Sequence, residues 1–263
     1  VFKEFDIALG DVEAGFAKAD LIIERKFKSA PVHQAYLEPH AAVASFGEDG
    51  QVELWCCTQG HFSVRAYCAK LLGMDIADLR VTASEIGGGF GGKTTVYLEP
   101  VALMLSRKAG KPVRAVMTRE DVFRASGPTS GATSWVKVGV TNDGKIVAGE
   151  AILKYQAGAF AGSPIGPGCM CAYAPYDIEN VKVKGYDVVT NRPKVAAYRA
   201  PGAPISEHAV ESVLDEIAKK LGMDPIELRE KNAAREGTHA AYGPKFGPIG
   251  FAETLAAAKA HPH

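Results

Sequence analysis

The chain has 263 residues, 47% of them hydrophobic, and its thirty basic side chains are balanced by thirty acidic ones. That length and apolar share support one large packed domain or two small ones, and zero net charge leaves no global field to draw the protein to nucleic acid or to an anionic membrane. Apolar runs break on a charge within about a dozen residues, short of the roughly 20 needed to cross a bilayer, and no signal-peptide core opens the chain, so a cytoplasmic protein without membrane association is expected.

Residues 1–19 show no sustained period and are expected as a linker leading into a domain that occupies 20–263. "ADLIIERKFKS" then predicts a strand with Ile22 and Ile23 inward, and "AAVASFGEDGQVELWC" a hairpin turning at Glu48-Asp49-Gly50. "SVRAYCAKLLG" has helical spacing that places Val64, Cys68, Leu71 and Leu72 on one face, with Gly73 as the stop. A further helix is expected over 96–109. A second hairpin follows around Asn142-Asp143-Gly144. The next helix spans 206–221, with Ser206 as its N-cap and Val210, Val213, Leu214, Ile217 and Leu221 inward, and Pro225 opens another. Hairpins with separate helices make an α+β fold of mixed sheets. Cys56, Cys57, Cys68, Cys169 and Cys171 are odd in number and lack C-x-x-C spacing, which points to reduced, packed thiols. His33, His40 and His61 show no zinc-ligand spacing, and His261 and His263 lie at a terminus where no role is expected.

Glycine- and proline-rich segments at 86–92, 158–168 and 199–204 interrupt this regularity. In the first, "GGGFGGKT" satisfies both G-x-G-x-x-G and G-x-x-x-x-G-K-[ST], the loops of a dinucleotide fold and of a phosphate-binding NTPase. Each pattern lacks its companions. No apolar strand ending in a magnesium-binding acid is present, Glu120 lies 28 residues past Gly92 rather than about 20, and the chain runs in hairpins rather than repeated βαβ units. A structural turn and a different cofactor stay open beside both.

Taken together, "TQG" at 58–60, "GGGFGGKTT" opening 29 residues after Thr58, "GKPVRAVMTRED" at 110–121 and "NRPKVAAYRAPGAP" at 191–204 resemble the xanthine dehydrogenase and aldehyde oxidase family of molybdenum hydroxylases, in order over roughly 20–260. The resemblance implies the first half of the molybdopterin-binding domain of a large subunit. In that setting Gln59 would donate its side-chain amide to an oxo ligand of molybdenum. Gly88, Gly89 and Gly91 would turn bare amides towards the metal–pterin group, and Phe90 and Arg199 would present backbone N–H groups beside it.

The implied reaction is oxidative hydroxylation of an aldehyde or an aromatic heterocycle with oxygen from water. Its carboxylate base lies in the later half of the family domain, past residue 263, so no catalytic residue is nominated here; Glu38 and Glu99 are expected to be structural. Thr94 stands where purine oxidisers have a glutamate, Gly168 about where they have an arginine, and Pro201 where they have an aromatic, which removes the handles for purines. No cysteine occurs in "AYRAPGAP", against the copper–molybdenum carbon monoxide dehydrogenases. Whether the pterin carries a cytosine nucleotide is left open. Iron–sulfur clusters and FAD would sit on partner subunits or domains, the remainder of the large subunit would complete the pocket, and the chain by itself is expected to bind the cofactor weakly without turnover. A P-loop ATPase and a cofactor-free scaffold fragment are the competing readings.

Overall fold

The computed structural model describes residues 1–262; His263 lies outside them. In chain order the first elements are β1 (Lys3–Leu9), α1 (Val12–Phe16), β2 (Leu21–Ser29), β3 (Ala41–Phe46), β4 (Val52–Cys56), α2 (His61–Leu72), β5 (Leu79–Ala83) and α3 (Glu99–Ala109). There follow β6 (Val113–Val116), α4 (Arg119–Ala125), β7 (Ala132–Val140), β8 (Ile146–Gly158), α5 (Ile165–Cys171), β9 (Val181–Val189), α6 (Ala203–Leu221), α7 (Pro225–Asn232) and α8 (Phe251–Lys259). The α+β class with hairpins and mixed sheets is as expected. Two compact units divide the chain, the first made of 1–30, 130–190 and 200–263, the second of 31–129 and 191–199.

The first unit is built on a five-stranded sheet in the order β1-β9-β8-β7-β2, antiparallel except for the parallel β8–β9 pair. The hairpin β7–β8 turns at Gly144, whose φ is +84° as the Asp-Gly pair predicts. Buried Val136, Val138, Leu153 and Tyr155 from the sheet meet Val210, Val213, Leu214 and Ile217 of α6 in one core. Ile23 joins them at 3% exposure whereas Ile22 is 44% exposed, because successive strand residues point to opposite faces. Residues 3–9 are not a linker: "KEFDIAL" alternates Phe5, Ile7 and Leu9 towards the core and pairs with β9 along its whole length. Ser206 is not an N-cap. Helix α6 starts three residues earlier, and Ser206 is buried in its first turn with Oγ donating back to the Gly202 and Ala203 carbonyls.

Asn232, wholly buried at the end of α7, ties that helix to the hairpin. Its Oδ1 accepts from Ile146 N–H at 2.8 Å, and its Nδ2 donates to the Gly144 and Leu228 carbonyls at 2.8 Å each.

The second unit carries a four-stranded sheet in the order β5-β4-β3-β6. The β3–β4 hairpin turns at Gly50 as expected, but β4 and β5 are parallel and joined by α2, so one βαβ unit is present where only hairpins were expected. Val64 and Cys68 of α2 and Ala102 and Leu103 of α3 cover the face formed by Ala44, Leu54 and Leu79. Leu71, expected on this inner face, is 63% exposed, and Gly73 ends the helix in the left-handed region. All five cysteines are free; burial, with the nearby Glu99 carboxylate second, pushes Cys56 and Cys68 up to about 12, so both are packing groups.

A polar interior lies beneath the loops of this unit. Ser126 donates to the Val122 carbonyl, which fixes it as acceptor for His33 Nε2–H at 2.8 Å; His33 Nδ1 accepts from Ala35 N–H. Tyr36 Oη and His40 Nε2 share a hydrogen bond of 2.7 Å, and His40 is 1% exposed. Burial and then the neighbouring Lys93 charge depress the His40 imidazole to about 4.

Two measurements check these packing arguments. Replacing Asn232 by Ala orphans a buried N–H and two carbonyls and should cost roughly 2–3 kcal/mol in denaturant unfolding; a loss under 1 kcal/mol would show the network is not needed. His40 must be neutral in the fold, so its contribution is complete above its unfolded value near 6.5 and is lost as pH falls towards 4. Between pH 7 and pH 5 stability should drop by on the order of 1–2 kcal/mol, and His40→Gln, which keeps a hydrogen-bonding partner for Tyr36, should remove most of that drop. An equal drop in the variant would sink the assignment.

Candidate functional site

The residues that bring chemistry into the second unit converge on the loop after β5. Chain 84–98 runs without regular structure from β5 to α3. Helix α3 begins at Glu99, seven residues past Gly92, and Glu99 folds its own carboxylate back to accept from Tyr97 N–H at 2.7 Å. No helix N-terminus therefore stands directly behind the glycines, as both a P-loop and a dinucleotide loop require. Lys93 removes the P-loop reading altogether. Its side chain is wholly buried, with Nζ 2.6 Å from Glu38 Oε2 and 4.9 Å over the Tyr36 ring, so no phosphate can reach it.

Gln59, in the turn between β4 and α2, is held by the loop at three points, with its neighbour Thr58 adding a fourth bond. Its N–H donates to the Lys93 carbonyl at 2.9 Å, and Thr58 Oγ1 donates to the same carbonyl at 3.1 Å. Its Oε1 accepts from Gly91 N–H at 2.9 Å and from Lys93 N–H at 3.2 Å. Two donors fill both lone pairs of one oxygen, which fixes the orientation of the amide and leaves its NH2 as a pair of donors with no acceptor among the described residues. The side chain is exposed at this edge. Gly89 explains the closeness: a Cβ there would sit 2.5 Å from Gln59 Oε1.

The loop itself turns sharply. Gly88, Phe90 and Gly91 have φ of 90°, 50° and 98°, and Gly92 N–H closes onto the Gly89 carbonyl at 2.7 Å. A phenylalanine in the left-handed region carries roughly 1–2 kcal/mol of strain. Two contacts hold it there. The Phe90 carbonyl accepts from Arg199 N–H at 2.9 Å, and a Cβ on Gly91 would meet the Ala197 carbonyl at 2.6 Å, so segment 191–199 is packed on the loop. The N–H groups of Gly88, Gly89 and Phe90 have no acceptor among the described residues, and successive donors in such a mixed-hand turn form an anion-binding concavity.

The structure thus brings Gln59, Gly88, Gly89, Phe90, Gly91 and Arg199 together, with two corrections to the expected donors. The Gly91 amide is bound to Gln59 and the Arg199 amide to Phe90, so neither faces outward. Thr94 is at the exposed end of the loop with its hydroxyl donating to the Gly91 carbonyl at 3.0 Å. Gly168 and Pro201 belong to the first unit. Gly168 lies in helix α5 rather than in a loop, buried where a Cβ would meet the Tyr155 hydroxyl at 2.8 Å, and Pro201 is exposed just before α6.

Sequence reasoning missed Lys93 and Glu38 as partners. The signal was a lysine inside a glycine loop with "YLEP" upstream, and only their separation by 55 residues concealed it. Burial disfavours the charged form of Glu38, but donation from Lys93 Nζ and Gly87 N–H outweighs it and holds the carboxyl below the usual range. Among the described residues no group of three or more His, Cys, Asp or Glu is arranged to hold a metal ion, and no helix is long and apolar enough to cross a membrane. Backbone amides with no acceptor among the described residues suit a group rich in anionic oxygens.

Known proteins share this arrangement of chain. The sequence profile of the molybdopterin cofactor-binding domain matches residues 1–233. The nicotinate dehydrogenase large molybdopterin subunit of Eubacterium barkeri is 30% identical over 256 residues, which is 95% of this chain and 60% of that subunit. The xanthine dehydrogenase/oxidase of Gallus gallus is 31% identical over 239 residues, 88% of this chain and 18% of its own. The aldehyde oxidoreductase of Desulfovibrio gigas superposes with a TM-score of 0.93 at 29% identity, over 98% of this chain and 29% of that one. The chain thus spans well under two thirds of the length of these relatives. Its fold, its profile match and its likeness to these dehydrogenases agree, and the chain belongs to the molybdopterin cofactor-binding domains of the xanthine dehydrogenase and aldehyde oxidase family.

Proposed function

We propose that the loop 87–92 and Gln59 lie against the molybdenum–pterin group of a hydroxylase, and that this chain supplies that face of the site. The observation that carries the reading is the Gln59 amide, whose oxygen is saturated by Gly91 and Lys93 while its NH2 is turned outward. A neutral donor so fixed can bind an oxo group without adding charge, and an orientation set by two backbone bonds is kept when the group binds. Gly88, Gly89 and Phe90 would add backbone donors to anionic oxygens of the same group. When bound, the cofactor supplies the two-electron oxidation; this chain binds it, orients it and presents donors to it.

For the whole enzyme, oxidation of an aldehyde or an aromatic nitrogen heterocycle is the substrate class we favour. Nicotinate dehydrogenase and aldehyde oxidoreductase, among the relatives, act on such molecules by name. Thr94 carries no charge for a purine and is turned back to its own loop, and Pro201 is not aromatic. Electron transfer would require iron–sulfur and flavin modules as partners. The catalytic base would come from another part of the enzyme, and the cytoplasm would be its compartment.

Gln59→Glu tests the donor role cleanly, because a carboxylate still accepts from Gly91 and Lys93 but has no N–H to offer. Protein purified from a host that makes the cofactor should keep its melting temperature and lose at least fivefold of its molybdenum and pterin. Unchanged metal content would remove Gln59 from the site. Gly89→Ala should have a comparable effect on cofactor content by displacing the Gln59 side chain, and a variant that retains full cofactor would contradict the close approach. In the assembled enzyme, assayed with a dye acceptor, an aldehyde or an N-heterocyclic acid should be oxidised at least a hundredfold faster than xanthine; equal rates would overturn the substrate class.

A further inference from the structure

We infer that the ion pair between buried Lys93 and half-buried Glu38 is a positioning device that joins the two ends of the glycine loop and thereby aims the Gln59 amide; the inference rests on the reading that Gln59 faces the cofactor. Glu38 grips the upstream end through two reciprocal bonds, with Gly87 N–H donating to Oε2 at 2.9 Å and Glu38 N–H donating to the Gly87 carbonyl at 3.2 Å. Lys93 grips the downstream end, since its N–H binds Gln59 Oε1 and its carbonyl takes both Gln59 N–H and Thr58 Oγ1. The Nζ–Oε2 contact of 2.6 Å closes the ring. The residues between, Gly88 to Gly92, have almost no side chains with which to hold themselves, so their path depends on these two anchors together with the backbone bonds of Phe90, Gly91 and Gly92.

Charge arithmetic separates positioning from mere stability. Burying an ammonium is costly, and an apolar pair of similar volume generally stabilises a fold as well or better. A short, directional pair instead fixes one distance between two chain segments. The same pair is electrically neutral, so it holds the loop without placing net charge beneath an anionic group. The lysine that resembles a phosphate ligand in sequence is thus an internal strut.

Amide hydrogen exchange on the purified protein without added cofactor tests this directly, comparing wild type with Lys93→Met, Glu38→Gln and the double variant. Exchange at Gly87, Gly91 and Lys93 should rise at least tenfold in Lys93→Met and in the double variant, while amides of β3 and β4 change less than threefold. The double variant leaves no unpaired charge and serves if a single one fails to fold. Equal acceleration throughout the sheet would mean a purely structural pair, and loop exchange within twofold of wild type would mean no latch; either result overturns the inference. Cofactor content separates it from the reading beneath: a loosened loop with full molybdenum retains the latch and removes Gln59 from the site. An unchanged loop alongside cofactor loss in Gln59→Glu does the reverse.

Discussion

A buried ammonium must be met by a charge, and in this protein that requirement organises the site. Lys93 has no access to water, so Glu38 is drawn to it across 55 residues of sequence, and Glu38 in turn takes the amide of Gly87. With both ends of the glycine loop held, the Lys93 backbone becomes a fixed platform on which Thr58 and Gln59 are laid. The side chain of Gln59 then has one orientation open to it, because its oxygen is claimed twice.

The remaining geometry follows from how little room the loop has. Phe90 is in a left-handed conformation that its side chain disfavours, and Arg199 N–H binds its carbonyl from the neighbouring segment. The missing side chains at 89 and 91 let the loop close onto the Gln59 side chain and onto the backbone of Ala197. The donors left over are a side-chain amide and a few peptide N–H groups. Such a rim suits an oxygen-rich anionic group, and it is unsuited to a nucleotide triphosphate, for which the lysine would have to be free.

The second unit's sheet explains why the loop starts where it does. Parallel β4 and β5 end side by side, so the turn carrying Gln59 and the loop carrying the glycines leave the same edge of the sheet. Below them the Tyr36–His40 and His33–Ser126 bonds join the side chains of a polar interior. These buried contacts are neutral and directional, which gives the ion pair a rigid base.

By itself the sequence determined the local elements whose physics is local. Asp-Gly turns made the hairpins, apolar periods made α2, α3 and α6, a glycine stopped α2, and the order of four short motifs pointed to the family. It also pointed to Gln59, the glycines, Phe90 and Arg199 as residues of one loop region, though not to Lys93 and Glu38. Only the tertiary structure decided what each polar group does, because a hydrogen bond has one donor and its partner is chosen by proximity rather than by sequence. It committed the amides of Gly91 and Arg199 inward, made Ser206 an internal helix residue and Gly168 a packing position against Tyr155, and joined residues 3–9 to a sheet as a strand. Above all it decided the fate of Lys93: a lysine in a glycine loop is a phosphate ligand if exposed and a strut if buried, and burial is a property of the whole fold.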